Sequence, residues 1–228
     1  MSDNENMVLT FPGSAEGARD YDRDYFQNGV ATGKSCYSGY RWIPEFSIPW
    51  AARLMRRLDI KPGQPVLDYG CAYGFTVRAL RLLGVQAFGC DLSIEATLNT
   101  PTDVADFIEQ SYGPSIPFQA GYHFDWILAK DVLEHLTPHD LDVFLTGAKQ
   151  HTDNLFVVVP LGNGKRYNVL AYEHDVTHKI RESHAWWLGA FADHGWTTVN
   201  STLDMRGLKD TWAHFPDGNA AFTLRATK

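Results

Sequence analysis

The sequence predicts an α/β protein, doubly wound around a mostly parallel sheet that ends in an antiparallel C-terminal strand and carries an N-terminal helical and irregular cap. Three observations predict it. Strand-like and helix-like segments alternate with short turns from residue 65 onward, as parallel strands joined by crossover helices require. Leu155 to Val159 is a run of apolar, mostly β-branched residues, the composition of a strand buried on both faces. Two further β-rich segments close the chain and are joined by a connection short enough for antiparallel pairing.

The elements follow in order. Tyr21 to Trp50 is dense in aromatics, with Tyr21, Tyr25, Phe26, Tyr37, Tyr40, Trp42, Phe46 and Trp50 interrupted by Gly29, Gly33, Gly39, Pro44 and Pro49. That composition makes a packed irregular cap. A helix is predicted from Pro49 to Leu58, where Ala51, Leu54, Met55 and Leu58 recur at helical spacing, and Lys61-Pro62-Gly63 closes it. Pro65 to Asp68 reads as a strand, Phe75 to Leu83 as a helix ended by Gly84, and Gln86 to Cys90 as a second strand. Beyond these the pattern predicts a helix over Asp103 to Gln110, a strand over Phe124 to Ala129, a helix over Pro138 to Gln150, and the strand Leu155 to Val159. A helix over Ser183 to His194 and strands over Trp196 to Leu203 and Ala220 to Ala226 complete the series. Ser93 to Tyr122 shows no third strand. The chain divides into a cap with its helix, residues 1–60, packed on a cofactor-binding domain, residues 61–228. The first twenty residues are polar and expected to be loosely held.

Composition narrows the function. The 228 residues hold 20 Lys+Arg against 27 Asp+Glu, a formal net charge of -7. That balance disfavours a nucleic-acid partner, although Arg53, Arg56 and Arg57 could form a local basic patch. At 44% hydrophobic and 21% charged the chain is an ordinary globular one. Cys36, Cys71 and Cys90 are odd in number and form no CxxC pair, which fits a reducing cytoplasm better than a secreted disulfide framework. Met1 to Asn6 has neither the positive start nor the apolar core of a signal peptide. The longest apolar run, Leu155 to Leu161, contains a proline and is far shorter than the roughly 20 residues of a membrane helix.

The segment richest in chemistry is Val66-Leu67-Asp68-Tyr69-Gly70-Cys71-Ala72-Tyr73-Gly74, a strand that enters a glycine turn and then a helix. Glycines there let backbone approach a ligand, and the helix start offers free N–H groups. A dinucleotide fingerprint would need glycine where Ala72 and Phe75 stand. Asp68, two residues before Gly70, would also repel a pyrophosphate, whereas an ammonium or sulfonium would be attracted. Asp91 ends the second strand 23 positions later, where a carboxylate can take both hydroxyls of a ribose. A nucleoside without phosphates is implied.

At this point the chain resembles the class I S-adenosylmethionine-dependent methyltransferases. Their first strand commonly ends in D-x-G-x-G-x-G and their second in an acidic residue, and Phe124-Asp125-Trp126-Ile127-Leu128-Ala129-Lys130-Asp131-Val132-Leu133-Glu134-His135-Leu136 looks like their fourth strand and following turn. The departure is Ala72 in place of the middle glycine. The resemblance covers about Val66 to Leu161 and implies a seven-stranded, Rossmann-like sheet with S-adenosylmethionine as cofactor. It implies a cofactor set of Asp68, Gly70, Cys71, Ala72, Gly74, Asp91, Leu92 and Lys130. Within it the Gly70 to Gly74 backbone and Asp68 hold the methionine part, Asp91 the ribose, and Leu92 packs on the adenine.

Other motifs carry less. Gly29-Val30-Ala31-Thr32-Gly33-Lys34-Ser35 resembles the end of a phosphate-binding P-loop, but its spacing is one residue short and no buried strand precedes it. As a cap loop it could still bring Lys34 or Arg41 to an anionic group. Glu173-His174-Asp175-Val176-Thr177-His178 follows the fifth strand, where the superfamily places substrate-facing loops. Asp175 and His178 have metal-ligand chemistry, yet the same Asp-x-Thr-His turn recurs in methyltransferases that use no metal, and none is expected here. His135 and His178 are the candidate catalytic residues, as general base or as positioning groups. His123, His139 and His194 look like surface residues, while Trp186, Trp187 and Phe191 look like core. The expected activity is methyl transfer to a small-molecule acceptor, such as a sugar or natural-product intermediate. The alternatives are a catalytically silent cofactor-binding partner module and a nicotinamide-dependent oxidoreductase.

Overall fold

The computed structural model describes residues 15–119 and 121–227, so the opening Met1 to Asn6 segment lies outside the described residues. Three short helices begin the chain, α1 (Ala15–Ala18), α2 (Arg23–Gln27) and α3 (Gly29–Thr32), followed by α4 (Pro44–Leu58). The alternating part comprises β1 (Pro65–Tyr69), α5 (Phe75–Leu82), β2 (Gln86–Asp91), α6 (Ile94–Leu98), β3 (Ile108–Gln110), β4 (Trp126–Lys130), α7 (Pro138–Ala148), β5 (Asn154–Pro160), α8 (His184–Asp193), β6 (Trp196–Thr202) and β7 (Asn219–Ala226). The strands form one sheet in the order β3-β2-β1-β4-β5-β7-β6, with β7 antiparallel to both of its neighbours and every other pairing parallel. This is the predicted seven-stranded sheet. Its order reverses between β1 and β4, which opens a crevice at the carboxyl ends of those strands.

Side-chain alternation builds a core on each face of the sheet. From β5, Leu155, Val157 and Val159 pack with Phe144, Leu145, Trp187 and Phe191 of α7 and α8. Phe156 and Val158 point the other way, toward Leu54, Leu58, Val77 and Leu80 of α4 and α5. β1 follows the same rule, with Leu67 and Tyr69 on the first face and Val66 on the second. Asp68 shares the second face with Val66, so its carboxylate starts beneath the sheet's apolar layer.

Three expectations need correction. Asp103 to Gln110 is not a helix: a 3-10 turn at Ala105–Phe107 leads straight into β3, the strand the pattern had not shown. Apolar Val104, Phe107 and Ile108 fall at helical spacing, but the turn and the strand bury them without one. The helix read as starting at Pro49 starts at Pro44, whose missing N–H costs nothing at the first helical position. Pro49 then sits inside α4, where the carbonyl it leaves unpaired belongs to Glu45 in the first turn. Trp187 and Phe191 are fully buried, but Trp186 is 37% exposed and is no core residue.

Candidate active site

The carboxyl ends of β1, β2, β3 and β4 converge on a cavity of about 1030 Å³, counting its open mouth. Tyr69, Gly70 and Ala72 line it from β1, Asp91 and Leu92 from β2, Ser111, Gly113 and Pro114 from β3, and Asp131, Val132, His135 and Leu136 from β4. Tyr21, Tyr25, Phe26 and Tyr37 line it from the N-terminal segment, and Thr177 and Lys179 from the loop after β5.

The turn after β1 is bent by three left-handed positions at every second residue, Gly70 (φ +73°), Ala72 (φ +49°) and Gly74 (φ +73°). The backbone N–H groups of Gly70 and Cys71 donate to the Cys90 carbonyl at 2.8 and 3.1 Å, which stitches the turn to β2. A Cβ on Gly70 would lie 2.3 Å from Val132 Cγ2, so the glycine permits the close approach of the β1 and β4 turns. Ala72 adopts the left-handed region at a steric cost of about 1–2 kcal/mol. Part of that cost is returned because its N–H donates to Asp91 Oδ2 at 2.7 Å. Ala72→Gly is expected to raise unfolding stability by up to about 1 kcal/mol, the relief being offset by added freedom of the unfolded chain. Urea denaturation checks this, and a destabilised variant would refute the strain assigned to Ala72.

Asp91 ends β2 at the cavity wall. Its Oδ1 accepts the Ser93 N–H and its Oδ2 the Ala72 N–H, both at 2.7 Å. Each oxygen keeps a second lone pair for a ligand hydroxyl. Burial pushes the Asp91 carboxyl above its ordinary value, against the pull of these N–H donors. Gln110 Nε2 donates to the carbonyls of Asp91, Leu92 and Ser111, fixing the ends of β2 and β3 to one another. Ser111 is a cavity residue the sequence did not reveal, since the three-residue edge strand before it carries no visible pattern.

Four of the residues singled out for the cofactor do not line the cavity: Asp68, Cys71, Gly74 and Lys130. Cys71 is buried among Val77, Ala79 and Leu80 on the opposite face. Gly74 packs against β3, where an added Cβ would meet Ile108 Cδ1 at 2.2 Å. Lys130 pairs with Asp131, which Lys209 also holds at 2.7 Å. Burial opposes ionisation of Asp131, but Lys130 and Lys209 outweigh it and keep the carboxyl below the usual range. Asp68 is 6% exposed. Burial, reinforced by Asp91, drives its carboxyl up to about 7, against Lys130 and a hydrogen bond from Thr76.

That shift has a measurable consequence. A carboxyl whose folded pKa lies above its unfolded value contributes stability that is complete below pH 4 and lost as pH rises through about 7. Asparagine at position 68 removes this titration. The stability of the wild type relative to Asp68→Asn is therefore expected to fall by roughly 1.4 kcal/mol per pH unit between about pH 4 and 7. Urea denaturation at pH 5 and pH 7 measures the difference, and a pH-independent difference would contradict a buried, pKa-raised Asp68.

The cap is fastened to the loop after β5 and, through Ser93, to the turn after β2. Tyr25 Oη donates to Asp175 Oδ2 at 2.9 Å, the Val176 N–H donates to the Lys34 carbonyl at 3.2 Å, and Ser93 Oγ donates to the Tyr21 carbonyl at 2.6 Å. Lys34 pairs with Asp22, and neither Lys34 nor Arg41 lines the cavity. Arg53 is held by the Gly207 carbonyl and Asp210, so it is not a free basic patch. His123 and His139 are exposed, whereas His194 is half-buried against Asp142.

His135 lines the cavity and His178 lies behind it, their ring centroids 4.5 Å apart. Thr177 Oγ1 donates to Asp175 Oδ1, so its lone pair receives the Nδ1–H of His135 at 2.8 Å. The Nδ1–H of His178 is donated to the Tyr172 carbonyl at 2.9 Å. Burial, with His178 beside it, lowers His135 to a pKa of about 3, and burial also lowers His178. Both rings are neutral at physiological pH, with Nε2 carrying the lone pair. Glu134, next to His135, is 1% exposed, and burial, then Asp131, raise its carboxyl well above the usual range.

Among the described residues the cavity is lined by four carboxylates, Asp20, Asp91, Asp131 and Asp140, against one ammonium, Lys179. That balance suits a ligand bearing a ribose, an ammonium and a sulfonium and opposes a pyrophosphate. The residues present therefore fit S-adenosylmethionine.

A methyltransferase-domain family model matches residues 45–212, well over half of the chain. No curated protein matches. Among solved structures, the protein bound to the Trm112 methyltransferase activator of Haloferax volcanii superposes with a TM-score of 0.58 at 19% identity, covering 81% of this chain and 92% of that one. The glycopeptide N-methyltransferase MtfA, in complex with S-adenosylmethionine, gives 0.56 at 12% identity over 79% and 94%. The [4+2]-cyclase SpnF gives 0.57 at 15% identity over 86% of each chain. At these identities the structures establish the fold, and the family match establishes the activity class. The chain belongs to the methyltransferase-domain family and is a class I S-adenosylmethionine-dependent methyltransferase.

Proposed function

We propose that this enzyme methylates a small-molecule acceptor enclosed between the cofactor crevice and the aromatic cap. The observation that carries this reading is a single cavity lined by two unlike sets of residues. One set is the strand-end cradle of Gly70, Ala72, Asp91, Leu92 and Ser111, and the other is Tyr21, Tyr25, Phe26, Tyr37, His135 and Thr177. Residues up to about 60 act as the cap, and residues 61–228 as the cofactor domain. A cap hydrogen-bonded to the loop after β5 leaves room for a small acceptor rather than for a macromolecular strand, and the net charge of -7 also disfavours nucleic acid. No helix among the described residues is long and apolar enough to cross a membrane, and three free cysteines, two of them buried, fit a reducing cytoplasm.

In this reading the Gly70 to Ala72 backbone and Asp91 hold the nucleoside, and Leu92 and Pro114 flank the adenine. Asp68 acts from beneath the turn as a charge that favours the cationic methionine end. Bound S-adenosylmethionine supplies an activated methyl group on a good leaving group. The protein's task is then to align the acceptor and exclude water. His135 is a weak base at a pKa of about 3, so it orients the acceptor by accepting a hydrogen bond and does not gain charge. His178 holds position behind it.

The test uses methyl-labelled cofactor with fractionated small-molecule extract, reading label in the acceptor pool. His135→Asn is expected to lose about tenfold or more in turnover with cofactor affinity unchanged and no acidic limb near pH 6.5 in the wild-type profile. SpnF shows that this scaffold hosts other chemistry, so failure of label to leave the cofactor with any fraction would overturn the methyl-transfer reading.

A further inference from the structure

The wall that His135 contributes to the cavity has a second layer. A carboxylate oxygen of Glu134 and one ring nitrogen each of His135 and His178 lie within 4.8 Å of one another. Glu134 Oε2 is buried without a hydrogen-bond partner, an arrangement that costs stability unless something fills it. The backbone fixes this convergence: the N–H groups of Lys179 and Ile180 both donate to the Glu134 carbonyl, at 2.8 and 2.9 Å, which clamps the residue after His178 to the residue before His135. Both rings also have the outer partners typical of ligating histidines, with Nδ1–H given to the Thr177 hydroxyl and the Tyr172 carbonyl. One potential ligand atom from each of the three residues thus lies close to the other two, in the wall of the cavity.

We propose that Glu134, His135 and His178 bind a divalent transition-metal ion of the zinc class. Two imidazoles and one carboxylate are a borderline donor set that suits such an ion and leaves a fourth position open. Tetrahedral ligands at about 2.1 Å stand about 3.4 Å apart, so the donors close by no more than about 1.4 Å, within reach of the Glu134 side chain. Ion binding engages Glu134 as the carboxylate, so any proton that the carboxyl holds is released to solvent as the metal bond forms. Asp175, the partner that the sequence pairs with His178, is spent otherwise: its oxygens accept from Tyr25 and Thr177, and through Thr177 it orients His135. This departs from the expectation that no metal is used. The site stands without the acceptor reading above. With an ion bound, the His135 Nε2 lone pair is taken up as a ligand and the ion's open position replaces it as the contact to the acceptor; only that point rests on the acceptor reading.

The test takes untagged, full-length, chelator-treated protein and titrates it with Co²⁺, read by its visible absorption, and with Zn²⁺, read by calorimetry and thermal melting. One ion per chain is expected, with a raised melting temperature for the wild type. Glu134→Gln and His178→Gln should weaken binding by about tenfold or more, while His214→Ala, at an exposed histidine, should match the wild type. Glu134→Gln is isosteric and neutral, so it carries the test even if His178→Gln fails to fold. No ion bound by the wild type, or undiminished binding by Glu134→Gln, would overturn the proposal. S-adenosylhomocysteine is titrated in parallel. Nucleoside binding without metal binding rejects this site alone, and metal binding without nucleoside binding rejects the cofactor reading.

Discussion

Asp91→Ala is expected to weaken binding of S-adenosylmethionine and its demethylated product by roughly tenfold to over a hundredfold, the equivalent of about 1.5–3 kcal/mol for hydrogen bonds to a charged group. The sequence alone suggests that the fold would not notice, since a strand-end carboxylate should be open to solvent. The structure corrects that expectation. Asp91 Oδ1 and Oδ2 each accept a backbone N–H, from Ser93 and Ala72. Alanine leaves both donors without their partner and releases the one contact that compensates Ala72 for its left-handed backbone. A stability loss of about 1–3 kcal/mol is therefore expected alongside the affinity loss. Asp91→Asn separates the two effects, because the amide keeps one acceptor oxygen and replaces the other with a donor that opposes an N–H. It should bind more weakly than the wild type and more tightly than the alanine variant. Calorimetry and urea denaturation give both quantities, and an Asp91→Ala protein with wild-type affinity would remove Asp91 from the nucleoside site.

The second large effect is expected at Gly74. Its φ of +73° already costs a residue with a side chain about 1–2 kcal/mol, and more for a β-branched one. A Cβ there would also stand 2.2 Å from Ile108 Cδ1, and Ile108 opens the three-residue edge strand β3. Ile108 must turn its Cδ1 aside, which loosens the packing of β3 next to Ser111, whose N–H donates to the Asp91 carbonyl at 2.8 Å. Gly74→Val should lose about 3 kcal/mol or more of stability and bind cofactor poorly, by loosening a cavity wall rather than by touching the ligand. Gly33→Ala is the control, since Gly33 has a similar φ of +71° but open space around it. Its cost should stay near 1 kcal/mol. Equal losses in the two variants would show that packing on Ile108 does not matter.

Much of this fold is legible in the sequence because the strands are buried on both faces. β1, β4 and β5 each supply apolar residues to two cores, and such runs leave few alternatives. β3 escapes because only three residues pair, at the sheet edge, and its neighbours bury themselves with a 3-10 turn whose spacing imitates a helix. At the site, Gly70, Ala72, Asp91 and Leu92 are visible because the chain itself brings them to one turn and one strand end. Asp68, Cys71, Gly74 and Lys130 belong to the same motif yet lie outside the cavity, since alternation along a strand and the bend of a turn send neighbouring residues to different faces. Ser111, Lys179 and the partnership of Glu134 with His178 cannot be seen before folding. Ser111 is placed by the pairing of β3 with β2, and the other two by the Lys179 and Ile180 bonds to the Glu134 carbonyl, between segments more than 40 residues apart.

The central claim is that the crevice at the β1 and β4 strand ends is a nucleoside site for S-adenosylmethionine. Calorimetric titration of the purified chain with S-adenosylhomocysteine tests it most directly, with NAD as the comparison. The structure predicts saturable binding at one site per chain, displaced by S-adenosylmethionine, and no saturable heat with NAD, because with Asp131 paired to Lys130 and Lys209 the lining still sets Asp20, Asp91 and Asp140 against Lys179. Saturable NAD binding with no response to S-adenosylhomocysteine would contradict it.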